Sequence, residues 1–124
     1  MTDRQSFAAW IEGYERAWRT PGTVGLRTLF TEDATYRHGP YDEPVVGLAA
    51  IAADWEAERE GPDEPFTMTW EIVAVEGSTG VARLEVRYGA PVNEEFLDVW
   101  LVRFAGDGRC AEFEEWPYAP PVPG

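Results

Sequence analysis

Asp33-Ala34-Thr35-Tyr36-Arg37-His38-Gly39-Pro40-Tyr41-Asp42-Glu43-Pro44-Val45-Val46-Gly47 is the stretch whose reading decides the fold. Ala34 to Arg37 reads as a short strand, and the Gly- and Pro-rich remainder reads as a loop. The chain's only histidine, His38, stands where strand becomes loop, so the one side chain with an ordinary pKa near neutrality is presented at that junction. Two helical patterns precede the stretch and a third follows it.

Upstream, Phe7, Trp10, Ile11, Tyr14 and Trp18 fall on one stripe at helical spacing, which predicts an amphipathic helix over Asp3–Thr20. Thr2 or Asp3 can cap it, Thr2 with Gln5 fits the capping-box spacing, and Pro21-Gly22 stops it. A second helix is expected over Thr23–Phe30, turning Leu26, Leu29 and Phe30 inward. A third is expected over Leu48–Glu60, with Leu48, Ile51, Ala52 and Trp55 on its apolar stripe and Glu56, Glu58 and Glu60 on its solvated face. It ends at Gly61-Pro62.

After residue 65 the period changes from helical to alternating, predicting strands over 66–76, 80–89, 94–105 and 109–116. Gly106-Asp107-Gly108 is the turn between the last two. Helices followed by antiparallel strands define an α+β domain with helices on one face of a sheet. The domain is assigned to residues 1–117 and a proline-rich tail to 118–124. The strand over 94–105 is apolar on both faces: Phe96, Trp100, Val102 and Phe104 share one with Asp98, while Leu97, Val99 and Leu101 share the other. A sheet covered by helices on one side calls for a polar outer face, so a homodimer through that second face is expected.

At 124 residues the chain is long enough to bury a core, and its six Trp, five Tyr and six Phe exceed what the core needs for volume. Several are expected to line a cavity for a small apolar ligand. Ten Arg and Lys against 23 Asp and Glu give a net charge of −13, which argues against nucleic acid and against anionic membrane surfaces as partners. The first residues lack the basic and apolar regions of a secretory signal, and no apolar run reaches the ~20 residues that span a bilayer. A single Cys110 excludes an intrachain disulfide, and one Cys with one His cannot assemble the usual zinc ligand set. The expectation is a cytoplasmic protein with no metal and no cofactor.

Three patterns then carry a resemblance. Leu-Phe-x-x-Asp-Ala-x-Tyr spans Leu29 to Tyr36, Gly-x-x-x-Ile-x-x-x-Trp spans Gly47 to Trp55, and Arg-Phe-x-x-x-Gly-Arg spans Arg103 to Arg109. In this order, with these elements, the chain resembles the SnoaL-like, nuclear transport factor 2-like superfamily over nearly its whole length. The resemblance implies a cone-shaped α+β barrel of the cystatin-like kind, in which three N-terminal helices pack on a curved, mainly antiparallel sheet. Between Tyr14 and Gly47 the pocket is similar to that of ketosteroid isomerases. Tyr14 and His38 lie 38 − 14 = 24 residues apart, the separation of helix tyrosine and loop carboxylate in those enzymes. The resemblance implies Tyr14 as donor to a developing oxyanion and His38 as general base, a neutral imidazole being competent near pH 7. The position of the family's neutral carboxylic acid falls on Trp100, and Asp98, two residues earlier on the same face, is the nearest carboxylate.

Tyr14, His38 and Asp98 are therefore the candidate catalytic residues. Trp18, Tyr36, Trp55, Trp70, Trp100 and Glu115 are the candidate ligand-binding residues. Asp98 stands out on the residues alone, because an inward carboxylate costs free energy unless paired. The expected function is that of a small-molecule pocket protein working as a cofactor-independent isomerase, cyclase or dehydratase on an apolar carbonyl compound. The alternatives are a non-catalytic binder of hydrophobic ligands and a dimeric interaction domain.

Overall fold

The computed structural model describes residues 2–59 and 65–120. Helix α1 (Arg4–Arg19) is capped by Asp3, which accepts from the Ser6 amide at 2.7 Å while the Ser6 hydroxyl accepts from the Asp3 amide at 3.1 Å. The capping box is thus Asp3 with Ser6, one residue later than the expected Thr2–Gln5 pair. Phe7, Trp10, Ile11 and Tyr14 form its buried stripe, as the periodicity predicts. Helix α2 is a single turn (Leu26–Leu29), and it delivers Phe30 directly into strand β1 (Phe30–Arg37). Strand β2 (Val45–Val46) and helix α3 (Leu48–Glu58) follow, then strands β3 (Phe66–Glu76), β4 (Thr79–Tyr88), β5 (Glu94–Phe104) and β6 (Cys110–Tyr118).

These six strands form one sheet in the order β2-β1-β6-β5-β4-β3. Every pairing is antiparallel except β1 with β6, which is parallel and sets Tyr36 beside Phe113. That parallel pairing explains why β1 begins four residues before the expected Ala34 and why α2 is shorter than Thr23–Phe30. Phe30 is drawn into extended conformation by a ladder whose other strand lies 80 residues away, Phe30 pairing with Cys110. Strand β2 is too short to leave a periodic signal; it exists because Val45 and Val46 meet Tyr36 and Thr35. At the other end β6 runs past 116 through Pro117 and Tyr118, so the expected tail is in part strand. Residues 121–124 lie outside the described residues, as do Glu60 and the Gly61-Pro62 stop expected for α3.

Helix α1 lies along β3, with Arg4 donating to the Ile72 carbonyl at its start and Arg19 to the Phe66 carbonyl at its end. Helix α3 is tied to the end of α1 by Arg59, which donates to the carbonyls of Thr20 and Gly22 at 2.8 and 2.9 Å. These bonds satisfy carbonyls of the C-cap and of the turn that follows it. Trp10 sits at the centre of the core, with its indole N–H on the Leu29 carbonyl and its ring edge-on to Phe30, Trp100 and Phe104. Phe7, Val102 and Phe113 complete this packed end of the domain.

Strand β4 approaches α1 so closely that only glycine fits at position 80, where an added Cβ would stand 2.6 Å from the fully buried Phe7 ring. Substituting Gly80→Ala is expected to cost roughly 1–3 kcal/mol by overpacking, read as a lower urea midpoint at unchanged slope. An unchanged midpoint would show that the Phe7 ring moves freely.

Candidate functional site

The helix stripe fills only one end of the concave face. Beyond Trp10 it continues as Tyr14 and Trp18, and there the sheet and helices part to leave an open cavity of about 290 Å³. Tyr14, Trp55 and Trp100 form its floor, the Tyr14 ring lying 4.9 Å from Trp55 and 4.4 Å from Trp100 between centroids. Trp18 stands edge-on to Trp55, and Phe66, Met68, Val86 and Phe96 supply the sides. Strand alternation places Asp98 and Trp100 together on the inner face of β5, and the antiparallel register sets Glu115 of β6 opposite Trp100.

The cavity brings together Tyr14, Trp18, Tyr36, His38, Trp55, Asp98, Trp100 and Glu115. Trp70 is not among the lining residues: the cavity opens at the Phe66–Met68 end of β3, and Trp70, further along, is half-buried against the core. Asp54 and Glu58 of α3 also line it. Glu58 is exposed, as its place on the solvated face predicts, and reaches the cavity from outside, whereas Asp54 is a lining residue that the helical spacing does not single out. The signal for Asp54 was its place one residue before the apolar Trp55, on the side of α3 that faces the His38 loop.

His38 differs most from expectation. Its Nε2 donates to Asp54 at 2.7 Å and its Nδ1 to Glu115 at 3.1 Å, so both ring nitrogens end on carboxylates. The hydrogen bond to Glu115, with that to Asp54, outweighs partial burial and raises the His38 pKa to about 9. At neutral pH the ring is an imidazolium. Both ring nitrogens are engaged by carboxylates, an arrangement that favours a charged ring over the neutral base that the resemblance implies.

Asp98 is the opposite case. It is 7% exposed, and its Oδ1 is buried without a hydrogen-bond partner among the described residues. Burial first, and the nearby Glu115 charge second, raise its pKa to about 7. The Tyr14 and Tyr36 hydroxyls share a 2.6 Å hydrogen bond, and burial pushes both pKa values up, so both stay neutral. Whichever hydroxyl accepts in that bond keeps its own proton for a ligand. The indole N–H groups of Trp18, Trp55 and Trp100 are likewise buried without partners among the described residues. The arrangement can do acid–base chemistry at Asp98 and donate hydrogen bonds from tyrosine and indole.

A second chemical capacity lies at the rim. His38, Asp54 and Glu58 offer ligand atoms within 4.8 Å of one another and could hold a metal ion. The expectation of no metal considered only Cys- and His-rich zinc sets, whereas one imidazole with carboxylates also suits harder divalent cations. Such an ion would have to displace the proton that Nε2 donates to Asp54.

The match to known proteins agrees with this architecture. Residues 11–113 match the family model of the SnoaL-like domain, and the chain belongs to that family. Solved structures share its fold. A protein from Kribbella flavida, provisionally described as a ketosteroid isomerase, is 21% identical at a TM-score of 0.68, covering 100% of this chain and 87% of its own. The epoxide hydrolase/cyclase-like enzyme SalBIII, of pyran ring formation in the polyether salinomycin, is 14% identical at a TM-score of 0.75, over 95% of each chain. An NTF2-like protein of unknown function from Mesorhizobium loti is 22% identical at a TM-score of 0.69, over 95% of this chain and 96% of its own. No curated protein matches the chain. Among the described residues, no helix is long and apolar enough to cross a membrane.

The His38 clamp has a measurable consequence. A folded-state pKa of about 9, above the ordinary imidazole value of 6.5, means that its contribution to stability is fully present below pH 6.5 and lost as pH rises through 9. The Tm difference between wild type and His38→Gln is thus expected to be largest near pH 6 and to shrink towards pH 10. A pH-independent difference would show that the two carboxylates do not hold the ring charged.

Proposed function

We propose that the cavity takes an apolar, carbonyl-bearing small molecule and that Asp98 moves a proton on it. The observation that carries this reading is the unpartnered, buried carboxyl of Asp98 on the wall of an aromatic cavity. A carboxyl that titrates near 7 is matched to proton abstraction at neutral pH, where an ordinary aspartate is too weak a base. In the ionised form Asp98 takes a proton from the carbon beside the carbonyl. The C–H electron pair becomes the C=C bond of an enolate, and the negative charge on oxygen is held by the free hydroxyl proton of the Tyr14–Tyr36 pair. Where the substrate carries a β,γ double bond the product is a dienolate, and return of the proton from Asp98 to its γ-carbon moves the C=C into conjugation and completes an isomerisation without any cofactor. His38 does not take the proton; as an imidazolium between Asp54 and Glu115 it fixes the polar wall and offsets their charge. The isomerase and cyclase descriptions of relatives with this fold support the class of reaction without bearing on the roles of individual residues.

Deuterium uptake tests this. Cyclic ketones and enones incubated with the protein in D₂O should gain deuterium beside the carbonyl, read by NMR, with the rate rising as pH passes up through about 7. Asp98→Asn should slow uptake by ~10²-fold or more while the fold survives. Ligands that raise Tm but exchange no deuterium would leave a non-catalytic binder of hydrophobic ligands.

We further propose that the protein works as a cytoplasmic homodimer through the outer face of β5. Leu97 is 55% exposed there, and Val99 and Leu101 are half-buried beside it. The register extends this apolar face onto β6, setting Trp116 opposite Val99 and Tyr118 opposite Leu97. A stable pair would bury on the order of 1,600 Å². Val99→Glu is expected to give a monomer by light scattering, and a monomeric wild type would refute the pairing.

A further inference from the structure

The residues lining the cavity carry an unbalanced charge. Asp54, Glu58, Glu94, Asp98 and Glu115 face it against a single histidine, and no arginine is among them. Arginines close to the lining residues are committed elsewhere, Arg37 to Glu114 and Arg87 to Glu85 and Glu95. Arg19 stacks on Phe66 with its guanidinium carbon 3.8 Å from the ring centroid and is bonded to Glu15 and the Phe66 carbonyl. Arg59 is held by Glu56 and by the carbonyls at the end of α1. His38 serves Asp54 and Glu115, and Asp98 Oδ1 is left without a hydrogen-bond partner among the described residues. An anionic ligand would meet uncompensated carboxylates, and a neutral one would leave Asp98 unpaired. Tyr14, Trp55 and Trp100 line the same cavity as that carboxyl and offer the aromatic faces to which a desolvated organic cation is attracted.

We infer that the natural ligand is an apolar amine or quaternary ammonium compound, whose positive nitrogen lodges among Tyr14, Trp55 and Trp100 with Asp98 as its counter-ion. The inference rests on the proposed function and names its substrate class as an apolar carbonyl compound that also carries a cationic nitrogen. The two readings meet at one group: an incoming cation favours the ionised form of Asp98, the form that accepts a proton, while drawing its raised pKa back down. The chain's net charge of −13 adds a long-range attraction for such a ligand.

The experiment compares two molecules of one shape and different charge, (4-hydroxyphenyl)trimethylammonium and 4-tert-butylphenol, by calorimetric titration of the wild-type protein near pH 8. The ammonium compound is expected to bind about 10-fold more tightly or better, the scale of one desolvated cation–aromatic contact. Asp98→Asn, verified as folded by its Tm, should erase most of that preference. Equal affinities, or tighter binding of the phenol, would overturn the cation assignment and leave the apolar pocket standing. Binding of neither would overturn the pocket reading itself. A preference that survives in Asp98→Asn would refute Asp98 as counter-ion.

Discussion

The domain depends on one packing event, the insertion of the α1 aromatic stripe into the concave face of the sheet. Trp10 is its centre, enclosed by Phe30, Trp100, Phe104 and Phe113 and tied by its N–H to the Leu29 carbonyl. That burial removes the largest apolar side chain of the helix from water and fixes the helix on the sheet. Because the stripe is longer than the packed end of the cone, Tyr14 and Trp18 project into the open end. The same helix therefore builds the core with its first two turns and the cavity with its last two. A sheet that curves around one helix has no second layer to fill its mouth, and the cavity is the space that remains.

Charge is distributed over the cavity wall with the same economy. Three strands and one helix converge on His38: β1 delivers it, β6 supplies Glu115, α3 supplies Asp54, and β5 holds Asp98 beyond reach of the ring. Two carboxylates against one imidazole raise the ring's pKa, and the third carboxyl, deprived of a partner by burial, is raised as well. The two groups move in the same direction for different reasons, one because its charged form is stabilised and the other because its charged form is penalised. The proposed division of roles, proton transfer at Asp98 and electrostatic support at His38, rests on this difference.

Relatives with this fold carry descriptions as different as isomerase and epoxide hydrolase/cyclase-like enzyme, at identities of 21% and 14%. Conical architecture is thus a frame for many chemistries, and it is the polar groups on the wall that discriminate among them. In this chain the wall is acidic and aromatic, with tyrosine and indole donors and no arginine.

Much of this was legible in the residues. The spacing of Phe7, Trp10, Ile11 and Tyr14 specifies α1 and its buried face, and the alternation after residue 65 specifies four strands, because both are local periodicities that one segment must satisfy alone. Asp98 was recognisable as an inward carboxylate by alternation, and the strand-to-loop position of His38 put it at the cavity. What no segment could declare is which elements meet. The parallel pairing of β1 with β6, the start of β1 at Phe30 and the existence of β2 all follow from ladders between distant residues. The same is true of the site: Asp54, His38 and Glu115 come from three parts of the chain, and only their meeting makes the ring an imidazolium. Sequence determines what each segment can bury; tertiary structure decides which charges share a dielectric, and with that which group holds the proton.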